Sequence, residues 1–330
     1  MNKRKIICIV GPTASGKTTL GVYLAKKFAG EIISADSRQI YKGLNIGTNK
    51  DLEEYDGVKY HLIDICDPGA EFTPAPKFLM GGFTVFDWVK MARAVIEDIF
   101  SRGKLPIVVG GTGLYIQALV EGFEQQNQKS KIKNQNDKLK CKKYSREELN
   151  EKLLEELQEI HDKLPTTNDK LDLQNPRRLI RAIEKTQEGI RISKKKPNFE
   201  VLQIGITLPR PDLYGKIDKK VDKWFSEGIL EEVGGLLQSG VDPNWLNKIG
   251  LNYRLISEFL IKIQETRNKK QTNFNDEILK TRELTEMKQE IKWKTHAYAR
   301  RQMTWFRRFE EIKWVEDKKE AKKLVAEFLK

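Results

Sequence analysis

The chain has 330 residues, enough for one large core and an appended domain, about two units at roughly 150 residues each. Its 60 Lys+Arg against 47 Asp+Glu leave a net charge of +13, which favours a polyanionic partner, nucleic acid first, because counterion release rewards clustered cations. Three cysteines without a C-x-x-C pair exclude a zinc site and a disulfide framework, and the lack of an apolar run near 18 residues and of a signal-peptide pattern leads us to expect a cytoplasmic chain with no membrane partner.

In chain order, an apolar run from Lys5 to Val10 leads into Gly11, Pro12, Thr13, Ala14, Ser15, Gly16, Lys17 and Thr18, followed by a helix-like stretch from Gly16 to Phe28. This is a complete G-x-x-x-x-G-K-[ST] loop between strand and helix. The two glycines let successive backbone N–H groups turn inward, the helix N-terminus adds its positive end, and Lys17 reaches the terminal phosphates. A plain turn would not require Lys then Thr after the second glycine. A diphosphate-like group is therefore expected here, with Thr18 as the magnesium ligand.

Glu31–Ser34, Val58–Ile65 and Leu105–Val109 read as strands, and Gly82–Arg102 and Thr112–Gly122 carry apolar residues at helical spacing. Alternating β and α elements predict a parallel sheet covered on both faces. In such a sheet Asp36, just after the second strand, reaches the carboxyl edge where ligands bind. It is a general base or an orienting group there, or else the N-cap of the next element. The Gly110-Gly111-Thr112-Gly113 turn either offers its amides and the Thr112 hydroxyl to the same crevice or simply joins strand to helix.

Residues 124–143 are Gln, Asn and Lys with hardly an apolar side chain, which reads as a flexible, exposed link. Two helices follow, one from Ser145 with Leu149, Leu153, Leu154, Leu157 and Ile160, the other from Asn175-Pro176 with Leu179, Ile180 and Ile183. Strand character returns at Val201–Leu208. Helical patterns then cover Leu213–Phe225, Gly228–Gln238, Leu251–Ile263 and Asp276 to about Phe309, with a polar patch, Gln264–Asn275, between the last two. The predicted organisation is a first part of an α/β core at 1–122, a helical insertion at 123–195, and a mostly helical remainder of the core at 196–330.

Seven segments, collinear and spanning nearly the whole chain, carry a resemblance. They are Gly11–Thr18, Ile33-Ser-Ala-Asp-Ser-Arg-Gln-Ile-Tyr-Lys-Gly43, Asn45-Ile-Gly-Thr48, His61-Leu-Ile-Asp-Ile65, Val109-Gly-Gly-Thr-Gly-Leu-Tyr115, Asn175-Pro-Arg-Arg-Leu-Ile-Arg-Ala-Ile-Glu184 and Tyr298-Ala-Arg-Arg-Gln-Met-Thr-Trp-Phe306. Together they resemble the tRNA dimethylallyltransferase family, the tRNA isopentenyl transferases.

The resemblance implies a P-loop NTPase-like fold and transfer of the dimethylallyl group from dimethylallyl diphosphate to the exocyclic amine of the adenosine just 3′ of a tRNA anticodon, with Mg2+ as cofactor. It implies that Lys17, Thr18 and Arg210 stabilise the leaving diphosphate and that Asp36 is the base. It also implies tRNA contacts at Asp36, Ser37, Arg38, Gln39 and Thr112, and at Arg177, Arg178 and Arg181 of the insertion, where the bland alternative is a solvated basic face. A monomer is expected. Of the late helix's aromatics, Trp293, Tyr298, Trp305, Phe306 and Phe309, most read as core packing, and Arg300, Arg301, Arg307 and Arg308 as candidates for phosphates. None of His61, His161 and His296 is expected to be catalytic. Two segments depart from the family: Ile249-Gly-Leu-Asn-Tyr-Arg254 has an extra residue, and Phe72–Phe78 with Met80-Gly-Gly82 is longer than usual. The rival functions are an adenylate isopentenyltransferase acting on free nucleotides, a P-loop small-molecule kinase, and a non-catalytic tRNA-binding protein.

Overall fold

The computed structural model describes residues 4–69, 83–127, 146–163, 172–188, 190–269 and 274–330. Its elements in chain order are β1 (Arg4–Val10), α1 (Lys17–Lys27), β2 (Gly30–Ser34), β3 (Tyr60–His61), α2 (Val85–Ser101), β4 (Leu105–Gly110), α3 (Gly113–Glu121), β5 (Phe123–Asn127), α4 (Arg146–Asn150), α5 (Leu154–Asp162), α6 (Pro176–Glu188), β6 (Ile190–Lys194), β7 (Phe199–Ile206), α7 (Arg210–Ser226), α8 (Ile229–Gln238), α9 (Pro243–Ile249), α10 (Leu251–Lys269), α11 (Phe274–Phe306), β8 (Ile312–Val315) and α12 (Lys318–Leu329). They fall into two compact units, one formed by Met1–Ala70, Asp87–Val120 and Pro197–Lys330, the other by Glu71–Phe86 and Glu121–Lys196.

The larger unit holds a six-stranded sheet in the order β3-β2-β4-β1-β7-β8, and every pairing in it is parallel. Its strands are nearly continuous apolar runs, as two covered faces require. Ile7 and Ile9 of β1 join one core cluster with Leu20 and Leu24 of α1 and Val325 of α12. The alternate residues Ile6, Cys8 and Val10 are equally buried. This is a P-loop NTPase-like sheet flanked by helices, as expected.

The smaller unit has its own core, Leu149, Leu157, Leu179, Ile180 and Ile183, drawn from α4, α5 and α6. Leu153 interrupts the single helix expected there and is 71% exposed. The unit is not helical alone: β5 and β6 pair antiparallel, Phe123 opposite Lys194 and Asn127 opposite Ile190. The first four residues of the expected link, 124–127, are therefore strand, because ladder hydrogen bonds need only backbone. Residues 128–143 of that link, and the unusual segment 72–82, lie outside the described residues.

Two further expectations change, and one aromatic of the late helix stands outside the core. The polar patch from Gln264 does not end α10, which runs on to Lys269: Gln, Glu, Arg and Lys are good helix formers, and polarity is no breaker. Val58–Ile65 contributes only the two-residue β3. Trp293 of α11 is 64% exposed, whereas Phe306 is buried. Elements the apolar pattern did not announce are α9, whose N-cap Asp242 accepts from the Asn244 amide at 2.8 Å, β8, and α12.

Candidate active site

Both glycine-rich turns leave the carboxyl ends of their strands toward the same place. At Gly11, φ is +152°, and a Cβ would sit 2.2 Å from the Ile206 carbonyl oxygen at the end of β7. Only glycine lets the loop pass so close. Ala14 takes a left-handed conformation, φ +62°, uncommon for a residue with a Cβ. The loop is gripped by two lysines: Lys17 Nζ donates to the Pro12 carbonyl at 2.6 Å, and Lys220 Nζ of α7 donates to the Thr13 hydroxyl at 3.1 Å.

Lys17, Thr18, Asp36, Lys220, Asn252 and Tyr298 are among the residues lining a cavity of about 1110 Å³. Burial lowers the Lys17 ammonium to about 8, against the pull of Asp36 and Glu54. Burial lowers Lys220 to about 7, the repulsion from Lys17 adding to it. Two crowded, poorly solvated cations of this kind fit a polyanion placed between them.

Asp36 follows β2 and faces this cavity. Its Oδ1 accepts the Arg38 amide at 2.9 Å, so the carboxylate is held by a turn, not by a helix it caps. The Ser37 amide donates to Thr112 Oγ1 at 3.2 Å, which ties this segment to the second glycine-rich turn. Gln39 is committed inside the protein: it accepts from Ser34 Oγ at 2.9 Å and donates to the carbonyls of Thr48 and Asn49 at 3.2 Å each. The guanidinium groups of Arg38 and Arg301 lie over the Tyr298 ring, 5.5 and 5.9 Å from its centroid. The variant segment is built into the same wall, since Asn252 Nδ2 donates to the Gly47 carbonyl at 2.8 Å and Leu251 lines the cavity.

Other candidates stand elsewhere. Arg210, exposed at the start of α7, donates through Nε to the Tyr214 hydroxyl at 3.0 Å and is not among the cavity-lining residues. In the smaller unit, Arg178 Nη1 is 3.4 Å from Asp172, and Arg181 Nη1 is 3.3 Å from the buried Glu184. The Arg177 side chain lies outside the described residues. His61 pairs with buried Glu31 at 2.7 Å, and His296 stacks on Tyr214 with centroids 4.1 Å apart, so neither is in the cavity.

Lys220 and Gln302 were missed by sequence reasoning, yet each leaves a trace. Leu213, Ile217, Val221 and Trp224 form the buried stripe of α7, and Lys220 falls on it, three residues after Ile217 and four before Trp224. Gln302 lies likewise between buried Ala299 and Phe306. A polar side chain on a helix's apolar stripe needs a partner, and here the partner is the phosphate loop.

Comparison with known proteins agrees with this geometry. The IPP transferase family model matches residues 39–309 and the isopentenyl transferase model residues 4–59. A tRNA dimethylallyltransferase of Thermomicrobium roseum is 38% identical over 95% of this chain and 87% of its own length, and one of Acetivibrio thermocellus is 38% identical over 94% and 91%. Among solved structures, the full-length tRNA isopentenylpyrophosphate transferase of Bacillus halodurans aligns with a TM-score of 0.64 at 32% identity, covering 99% of this chain and 96% of that one. A eukaryotic dimethylallyltransferase described as acting on tRNA aligns with a TM-score of 0.64 at 25% identity, over 92% of this chain and 69% of its own. The phosphate loop, the carboxylate across from it and these matches over nearly the full length say the same thing: the chain belongs to the tRNA dimethylallyltransferases, a family of prenyltransferases.

Proposed function

We propose that this chain transfers the dimethylallyl group of dimethylallyl diphosphate to the exocyclic amine of the adenosine 3′-adjacent to the anticodon of a tRNA, releasing diphosphate. The observation that carries this reading is the placement of Lys17 and Lys220 on the phosphate loop, in one cavity with the Asp36 carboxylate. As the amine nitrogen attacks the allylic carbon, the N–C bond forms and the bond from that carbon to the diphosphate oxygen breaks, its electron pair leaving on the diphosphate. Lys17, Lys220 and the loop amides neutralise the growing negative charge. The nitrogen becomes cationic, and its proton passes to Asp36, whose Oδ2 is left for the substrate because Oδ1 holds the Arg38 amide.

Thr18 offers a hydroxyl, and Asp36 and Glu54 offer carboxylates, to the cavity. These are the hard oxygen donors that Mg2+ takes. Among the described residues no group of three or more His, Cys, Asp and Glu side chains could hold a metal by itself, which suits an ion carried in by the diphosphate and completed by Thr18. When bound, Mg2+ would supply further neutralisation of the leaving oxygen.

The adenosine must leave the anticodon stack to reach Asp36. Arg38, Arg301 and Tyr298 are suited to stack on an extruded base and meet its phosphates, and Arg178 and Arg181 of α6 to meet the RNA backbone. The net charge of +13 favours such a polymer over a free nucleotide. No described helix is long and apolar enough to cross a membrane, in keeping with a cytoplasmic enzyme, and one chain carries every residue invoked, so a monomer suffices. The test is incubation with labelled dimethylallyl diphosphate and either bulk tRNA or AMP, followed by mass spectrometry of digested nucleosides. Prenylated adenosine in the tRNA digest is expected. Label in AMP alone, or ATP consumption without prenyl transfer, would overturn the assignment.

A further inference from the structure

Gln302 is polar, only 7% exposed, and set near the C-terminal end of the 33-residue helix α11. Its amide bonds two backbone groups from different loops. Oε1 accepts the Thr13 amide of the phosphate loop at 2.8 Å, and Nε2 donates to the Gly111 carbonyl of the second glycine-rich turn at 2.9 Å. An acceptor on one side and a donor on the other is what a primary amide provides; a carboxylate could not donate, and a thioether or hydrocarbon of the same length could do neither well. The fit is close: a Cβ at Gly111 would lie 2.5 Å from Gln302 Nε2. One turn on, Trp305 occupies the space that a Cβ on Gly113 would need, 2.2 Å from its Cδ1.

We infer that Gln302 is a positioning residue for the donor site, holding the phosphate loop in its anion-binding conformation and locking it to the Gly110–Gly113 turn. The inference rests on the reading that the loop binds the donor's diphosphate. The loop needs such a hold. Ala14 stands at φ +62°, a conformation a residue with a Cβ keeps only where its surroundings impose it. The two lysines that grip residues 12 and 13 from the cavity side must turn to an incoming anion, and Gln302 is then the contact that stays. By engaging the Thr13 amide it also removes that N–H from the set the anion can use, so it helps define the cradle. Because α11 also supplies Tyr298 and Arg301 to the cavity wall, the same helix that faces the acceptor fixes the loop that faces the donor.

The test uses the full chain and inorganic pyrophosphate as probe. Gln302→Met keeps length and volume but loses both hydrogen bonds; Gln302→Asn keeps the amide but is one carbon short. Both should weaken pyrophosphate binding and raise the KM for dimethylallyl diphosphate by about threefold to tenfold, the effect of one or two lost hydrogen bonds, leaving tRNA affinity unchanged. Phe306→Leu, a cavity-forming change one turn along the same helix, controls for stability alone and should lower Tm while leaving pyrophosphate affinity intact. In the wild-type chain without ligand, the Thr13 amide should exchange slowly with solvent. Unaltered pyrophosphate affinity in both Gln302 variants, an equal loss in Phe306→Leu, or fast exchange at Thr13 would each overturn the assignment of Gln302 alone. A wild-type chain that binds no pyrophosphate would overturn the donor site itself.

Discussion

Lys220 has Lys17 as a neighbouring cation, and burial with that repulsion lowers it to about 7. A bound diphosphate replaces repulsion by attraction, so the group's pKa is higher in the complex than in the free protein, and binding takes up a proton. The sign follows. Above about pH 7 the free lysine is neutral, and affinity for pyrophosphate falls as pH rises toward the bound-state value, by at most tenfold per pH unit for this one group. Calorimetry at pH 8.5 in two buffers of different protonation enthalpy should find about one proton fewer taken up by Lys220→Met than by the wild type. Asp36 is the proposed base at the other end of the reaction. Asp36→Asn keeps the size and the hydrogen bond to the Arg38 amide but removes the charge, and should lower turnover by about a hundredfold to ten-thousandfold, with donor and tRNA dissociation constants changed at most a few-fold. Near-normal single-turnover rates would return the carboxylate to a turn-holding role.

At the scale of elements, α6 is the proposed RNA contact that can be tested separately. Arg181 is a poor test of it, because Arg181→Glu would place a second carboxylate against Glu184, which is buried, and unfolding would mix with lost contacts. Arg178 is exposed and pairs with exposed Asp172 at 3.4 Å, a contact of little energetic weight. Arg178→Glu should therefore weaken tRNA binding and flatten its salt dependence by about one unit of slope, with Tm unchanged. Identical binding across a salt series would make α6 a solvated face. The helices themselves were readable where apolar spacing was regular: α2 and α7 lie within a few residues of their predicted ranges, and α6 begins at the expected Pro176. The β5–β6 ladder was not, because Glu124-Gln-Gln-Asn127 gives its hydrogen bonds from the backbone and its side chains advertise nothing.

Within the whole molecule, one half of the sheet, β3, β2 and β4, is pinned at the end remote from the cavity by Glu31, 1% exposed near the start of β2. Arg102 and Lys104, which immediately precede β4, and His61 of β3 all converge on this carboxylate. Hydrogen bonding from Arg102 first, then from His61 and Lys104, holds it well below the usual carboxylate range against the cost of burial. A depressed folded-state pKa contributes stability that is present above the unfolded value, about 4.3, and lost as pH falls below it. Denaturant melts should thus show the wild type losing stability below about pH 4.5, and Glu31→Gln should be less stable at pH 7 with a flatter acid limb. An unchanged limb would remove Glu31 from the account. The sequence by itself determined the parallel sheet, through alternating apolar runs and helical stripes, and it located the phosphate loop by residue types at fixed short spacing and the Asp36 carboxylate by its place just after a strand. Only the tertiary structure decided that Lys220 rather than Arg210 lines the cavity, that Gln302 closes on Thr13 and Gly111, and that Glu31 is buried among cations. Those contacts join residues 71 to 289 positions apart or meet across neighbouring strands, and their energy comes from desolvation and direct geometry, which no local pattern encodes.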